Sequence, residues 1–148
     1  MNCLETIKIN NSIIGGSGVL LHSNSYIPNT KVGWNGIKNE ESIEVDLVGH
    51  AWFFNKEHAK FMWLEEPPSW DNGEDMFFSY VAQKHGIKTL VPPHPMDNKE
   101  KWSNVPDRDD NMGNDSASSW LHNSNHMTLR NQIVSTLIDK GWKTIKHK

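Results

Sequence analysis

A chain of 148 residues, 36% hydrophobic and with a mean hydropathy of −0.66, is long enough for one domain with a buried core. Fifteen basic against eighteen acidic residues, net −3, argue against a nucleic-acid partner, which would need a basic excess. The single cysteine, Cys3, excludes a disulfide framework and a Cys-ligated zinc. No apolar run reaches the ~18 residues of a membrane span and no signal-peptide core is visible, so a cytoplasmic, soluble chain is expected.

In chain order, "SIIGGSGVLLH" (12–22) reads as a strand with a glycine bend. Gly15, Gly16 and Gly18 do not complete a phosphate-loop fingerprint, so a close-packed or bulged strand is the better reading. A polar, turn-rich stretch (23–42) leads to "IEVDLVGHAWFF" (43–54), β-branched and apolar, which predicts a buried strand. Asn55 is placed to cap a helix over "KEHAKFMWLEE" that Pro67-Pro68 ends. A second helix is expected over about 73–85, with Met76, Phe77, Tyr80 and Val81 on its inner face and Gly86 as its stop. "IKTLVPP" reads as a short strand, and 96–127 as a long polar loop. A last helix is expected from a Thr128 cap to Gly141, with Leu129, Ile133, Val134, Leu137 and Ile138 inward. The lysines of 143–148 read as a frayed basic tail. This order of elements indicates one α/β or α+β domain, a mixed sheet flanked by helices.

Three features carry chemistry. Glu74-Asp75 opens the second helix, where two acids favour the positive end of the dipole and Asp71 or Asn72 could supply the cap. Trp70 and Gly73 precede them in a loop that also suits a substrate rim. His94 lies in "PPHP", where the prolines fix the backbone and so aim the imidazole, a setting suited to metal or phosphate. On the strand "VGHAWFF", even numbering puts His50 and Trp52 on one face. Seven tryptophans are a compositional outlier that a core could absorb, most of them structural, but an indole face also suits a sugar ring, so one or two are expected at a site.

The runs "VDLVGHAWFF", "FMWLEEPP", "GEDMFFSYVAQKHGIKTLVPPHP" and "GNDSASS" together resemble the C-terminal, acceptor-side half of GT-A-fold, family-2-like glycosyltransferases. That resemblance implies an acidic xED motif whose aspartate, here Asp75 with Glu74 beside it, is the catalytic base. It implies that His94 holds a divalent cation, manganese or magnesium, or the donor's diphosphate. It places the sugar and acceptor floor at His50, Ala51 and Trp52, the rim at Trp70, and an acceptor contact at Asp115 with Ser116. The substrates implied are a nucleotide-sugar donor and a carbohydrate acceptor.

The donor-binding DxD motif of such enzymes precedes the region of resemblance. The only DxD here, Asp107 to Asp109, sits in the polar loop with no strand leading into it and is rejected as that motif. The same loop fits a calcium loop poorly, with Ser118 where a bidentate glutamate belongs. Two readings therefore stand: a sugar transferase whose donor half is supplied elsewhere, by a partner or as part of a split enzyme, and a non-catalytic carbohydrate- or partner-binding remnant. Apolar surface left by an open sheet edge leads to an expectation of self-association or a tight partner. Metal-dependent hydrolysis is disfavoured, since His50 and His58 fit no HExxH spacing.

Overall fold

The computed structural model describes residues 2–33, 37–102 and 124–147. Its elements are helix α1 (Asn2–Ile9), strands β1 (Ser12–Leu21), β2 (Asn29–Gly33), β3 (Ile43–Glu44) and β4 (Leu47–Phe53), helix α2 (Glu74–Lys84), strand β5 (Lys88–Val91) and helix α3 (His126–Asp139). Short 3-10 turns occupy Lys56–Met62, Lys99–Lys101 and Ile145–His147. The five strands form one mixed, open sheet curled as a half-barrel, which establishes an α/β fold.

The sheet is organised around β1. Antiparallel β2 pairs with its second half (Ser17 to Leu21) and parallel β5 with its start (Ser12 to Ile14), while antiparallel β4 pairs with Ile14 to Val19. Strand β3 closes the far side by pairing with β5. Successive side chains of β1 point to opposite faces. Ile13 therefore enters the main core with Leu47, Val48, Phe78, Ile133 and Leu137, under α2 and α3. Ile14 joins Cys3, Leu90 and Phe53 in a smaller cluster under α1.

The glycines of β1 are there because partners come close. A Cβ on Gly15 would meet the Val48 Cβ at 2.5 Å, and one on Gly18 would meet Val45 and Val91 at 2.7 Å. The pairing with β4 also slips between Gly15 and Ser17, so the glycine run is both a close-packed and a bulged strand.

Four expectations change. The strand over 43–54 is two strands, broken where the buried Asp46 carboxylate accepts from the Leu21 amide (2.7 Å) and the Ile145 amide (2.6 Å). The helix after Asn55 is a 3-10 turn with no side-chain cap, ending at Trp63. Its two buried residues, His58 and Phe61, are three apart, the 3-10 period, and stack in line with His85. Helix α3 starts two residues before Thr128, at His126, whose ring is held by Asn72. The C-terminal segment is docked as far as it is described: Trp142 and Thr144 are buried, the Lys143 backbone exchanges hydrogen bonds with the Gln83 amide, and the Lys143 and Lys146 side chains are exposed. An α1 helix, on which the sequence reading was silent, covers the second face. No helix among the described residues is long and apolar enough to cross a membrane.

Candidate functional site

The site is built at the first turn of α2. Gly73 occupies the N-cap position in the left-handed conformation (φ 88°), so the expected cap by Asp71 or Asn72 is not made. A Cβ there would meet the Ile133 Cδ1 of α3 at 2.6 Å, so glycine is required both by conformation and by the closeness of the two helices. The helix then opens on Glu74-Asp75. The Asp75 Oδ1 accepts from the Met76 amide (2.9 Å), satisfying one of the donors a helix start leaves without a partner.

The Asp75 Oδ2 accepts from Arg130 Nη2 of α3 at 2.6 Å, in a pair whose side chains are only 13% and 9% exposed. Arg130 also donates through Nη1 to Asn72 Oδ1 (3.0 Å), and its guanidinium lies over the Tyr26 ring, 4.3 Å from the centroid. Asn72 Nδ2 in turn donates to His126 Nδ1 (2.9 Å), which places the proton of a neutral ring on Nε2. Burial works against the Arg130 charge, but the Asp75 carboxylate outweighs it and holds the guanidinium above its ordinary value. Burial, with the nearby Arg130 cation, pushes the His126 imidazole down and keeps it neutral.

Two hollows flank this helix start. Glu74 lines a cleft of about 200 Å3 whose walls include the rings of Trp52, Trp63 and Trp70, with Phe77 and Phe78 behind them and Ser69, Asp71 and Asn72 at the edge. Asp75 lines a second hollow of about 160 Å3, bounded by Ser17, Gly18 and Gly49 of the central strands and by Tyr26 and Lys31. Adjacent carboxylates of one helical turn thus serve different cavities.

The structure brings Glu74, Asp75, Trp52 and Trp70 together. Trp52 is half-buried against Phe78 (5.6 Å between ring centroids), with its indole N–H on the Val48 carbonyl (3.2 Å), whereas Trp70 is 79% exposed. His50 is not brought to either hollow. The strict alternation that paired it with Trp52 fails, because His50 and Ala51 both stand in the left-handed region (φ 52° and 59°) opposite the single residue Gly16. His50 is exposed there, next to Gly49 of the second hollow. His94 is fully buried at a distance in the chain from this turn, its amide donating to the Asn39 carbonyl and its Nδ1 to the Pro92 carbonyl, both at 2.7 Å. Its ring lies 6.1 Å from that of Trp102, and burial, with Lys38 nearby, pushes it toward the neutral form. Asp115, Ser116 and the Asp107–Asp109 segment lie outside the described residues, as do Trp34 and Trp120.

Two residues of the site were not anticipated. Arg130 carried a signal: it precedes Ile133, Val134 and Leu137 by three, four and seven, the spacing of the buried face, so an inward arginine needing an acid was legible. Trp63, 72% exposed, had none beyond the tryptophan excess, because its exposure follows from the 3-10 turn that ends on it.

Among the described residues no group of three or more His, Cys, Asp or Glu side chains could hold a metal ion, and the His94 ring is packed against carbonyls and an indole. These residues do not make a cation site by themselves, and no chemical step is assigned to one. No family model, no curated protein and no solved structure matches the chain.

Proposed function

We propose that this chain is glycosyltransferase-like and that the start of α2 is where a carbohydrate acceptor meets a nucleotide-sugar donor. One observation carries the reading: Glu74 and Asp75 place two carboxylates side by side, one facing an indole-walled cleft and the other a glycine-bounded hollow. The cleft is suited to the acceptor sugar, since ring C–H faces stack on indoles while hydroxyls find carboxylate oxygens. The hollow at Asp75, with its backbone walls and Lys31 at the edge, is suited to the reacting end of the donor.

The chemistry follows from those roles. The acceptor hydroxyl attacks the anomeric carbon, the bond from that carbon to the diphosphate oxygen breaks, and the hydroxyl proton passes to the Asp75 carboxylate. Glu74 orients the acceptor by accepting a hydrogen bond from a hydroxyl that does not react. Arg130 holds Asp75 in place and keeps a positive charge beside it. The residues that would bind the donor's nucleotide, and any manganese or magnesium ion, are assigned beyond the described residues, since the buried His94 ring already donates to the Pro92 carbonyl and packs against Trp102.

The test uses the chain with its donor-binding partner and a panel of nucleotide sugars. Asp75→Asn is expected to lower transfer by about 10²–10⁴-fold, the usual worth of a general base, and to leave donor binding intact by calorimetry. Retained turnover in the variant removes Asp75 from the mechanism. A second reading, a non-catalytic carbohydrate-binding protein of the same architecture, is favoured by the fact that both Asp75 oxygens already accept hydrogen bonds. Sugar binding with no turnover of any donor would select it.

A further inference from the structure

The lining of the indole cleft narrows the class of sugar it accepts, and this rests on the reading of the cleft as a carbohydrate site. Its polar edge carries two carboxylates, Asp71 and Glu74, both exposed, and neither takes a hydrogen bond or an ion pair from a described side chain. Among the described residues, none of those lining the cleft is a lysine, arginine or histidine. Arg130 beside the helix start is turned to Asp75 and Asn72 and lies over Tyr26. Of the neutral polar groups, the Asn72 amide lies between Arg130 and His126, and the Ser69 hydroxyl accepts from the Asp71 amide (3.1 Å).

We infer that the cleft takes the terminal residue of a neutral glycan and rejects acidic sugars. A cleft of about 200 Å3 lies below the roughly 300–1,000 Å3 of drug-sized pockets and suits one ring rather than an extended chain. Trp63 and Trp70, both exposed in its lining, offer flat apolar faces, and the Asp71 and Glu74 carboxylates accept from a pair of hydroxyls. A uronate or sialic-type carboxylate, or a sugar phosphate, would bring a like charge against Asp71 and Glu74 in a half-enclosed space with no counter-ion among its described lining residues.

The experiment titrates the full chain by tryptophan fluorescence and ligand-observed NMR. The ligands are methyl glycosides and tetrasaccharides of glucose, galactose, mannose and N-acetylglucosamine, together with glucuronate and galacturonate counterparts and phenol as a purely apolar control. At least one neutral series is expected to bind, with its uronate counterpart about tenfold weaker or worse. Trp63→Ala and Trp70→Ala are expected to weaken the neutral ligand, and Glu74→Gln to narrow the gap between neutral and uronate forms. Equal or tighter binding of the uronates, no binding by any neutral sugar, phenol binding as well as the glycosides, or an unaltered affinity in both tryptophan variants would each overturn the inference. Neutral-sugar binding without transfer from any donor removes the transfer reading and leaves the ligand class standing; transfer to a uronate acceptor does the reverse.

Discussion

Asp75 is at once a helix-start residue and the best-placed carboxylate for chemistry, and Arg130 decides how the two roles combine. An ion pair this enclosed contributes little net stability over an apolar pair, but removing one partner strands the other in a poor solvent. Arg130→Ala is therefore expected to cost about 3–5 kcal/mol in urea unfolding. Arg130→Lys should recover only part of that loss, since one ammonium cannot reach Asp75 and Asn72 in the guanidinium's forked geometry. An Arg130→Ala variant as stable as the parent would show that the pair is open to water. Asp75→Asn keeps one oxygen for Arg130 but turns its Nδ2 toward the Met76 amide and removes the guanidinium's counter-charge, so its unfolding is measured beside its turnover to separate a lost base from a loosened fold.

The elements explain why this turn can serve as a site. Helix α2 is held close to α3 at Gly73, and β1 is held close to its neighbours at Gly15 and Gly18. Gly73→Ala combines a left-handed backbone, about 1–2 kcal/mol for an L-residue, with a collision on Ile133 that adds about 1–3 kcal/mol. Gly86→Ala at the other end of α2 shares the positive φ (73°) but has nothing within 4 Å, so only the first cost applies. Comparing the two melting curves isolates the packing contribution; equal losses would mean that α3 yields. The β4 bulge is the third such device. Two successive residues in the left-handed region turn His50 and Ala51 outward and return Trp52 to Phe78, so the indole forms a wall of the cleft instead of following the strand's alternation.

Among the described residues of the whole molecule, three histidines, His58, His94 and His126, are held neutral chiefly by burial. Their folded values lie below the ordinary value of about 6.5, so the unfolded chain binds protons that the folded chain refuses. Stability is unaffected by these rings above that value and falls as the pH drops through about 6.5 toward their lowered folded values. The urea midpoint is expected to be lower at pH 5.5 than at pH 7.5. A midpoint that holds or rises on acidification would show that the rings charge freely in the fold. Loss of the neutral His126 also frees the Asn72 amide, so the Asp75–Arg130 geometry is expected to loosen in the same window.

The sequence by itself determined what depends on neighbours along the chain. The periodicity of Met76, Phe77, Tyr80 and Val81 specified the inner face of α2, Gly86 and Gly141 marked real left-handed stops, and the tight glycine strand was legible because only close packing or a bulge explains such a run. Glu74-Asp75 was recognisable as the opening of a helix for the same reason. Tertiary structure alone decided the rest. That Asp75 is clamped by a residue 55 positions away, that Glu74 and Asp75 face different hollows, that β4 bulges opposite Gly16, and that His94 ends up buried among carbonyls are all products of long-range packing. Local sequence sets which backbone conformations are cheap. Which side chains meet depends on how helices and strands distant in the chain settle against one another, and no local pattern encodes that distance.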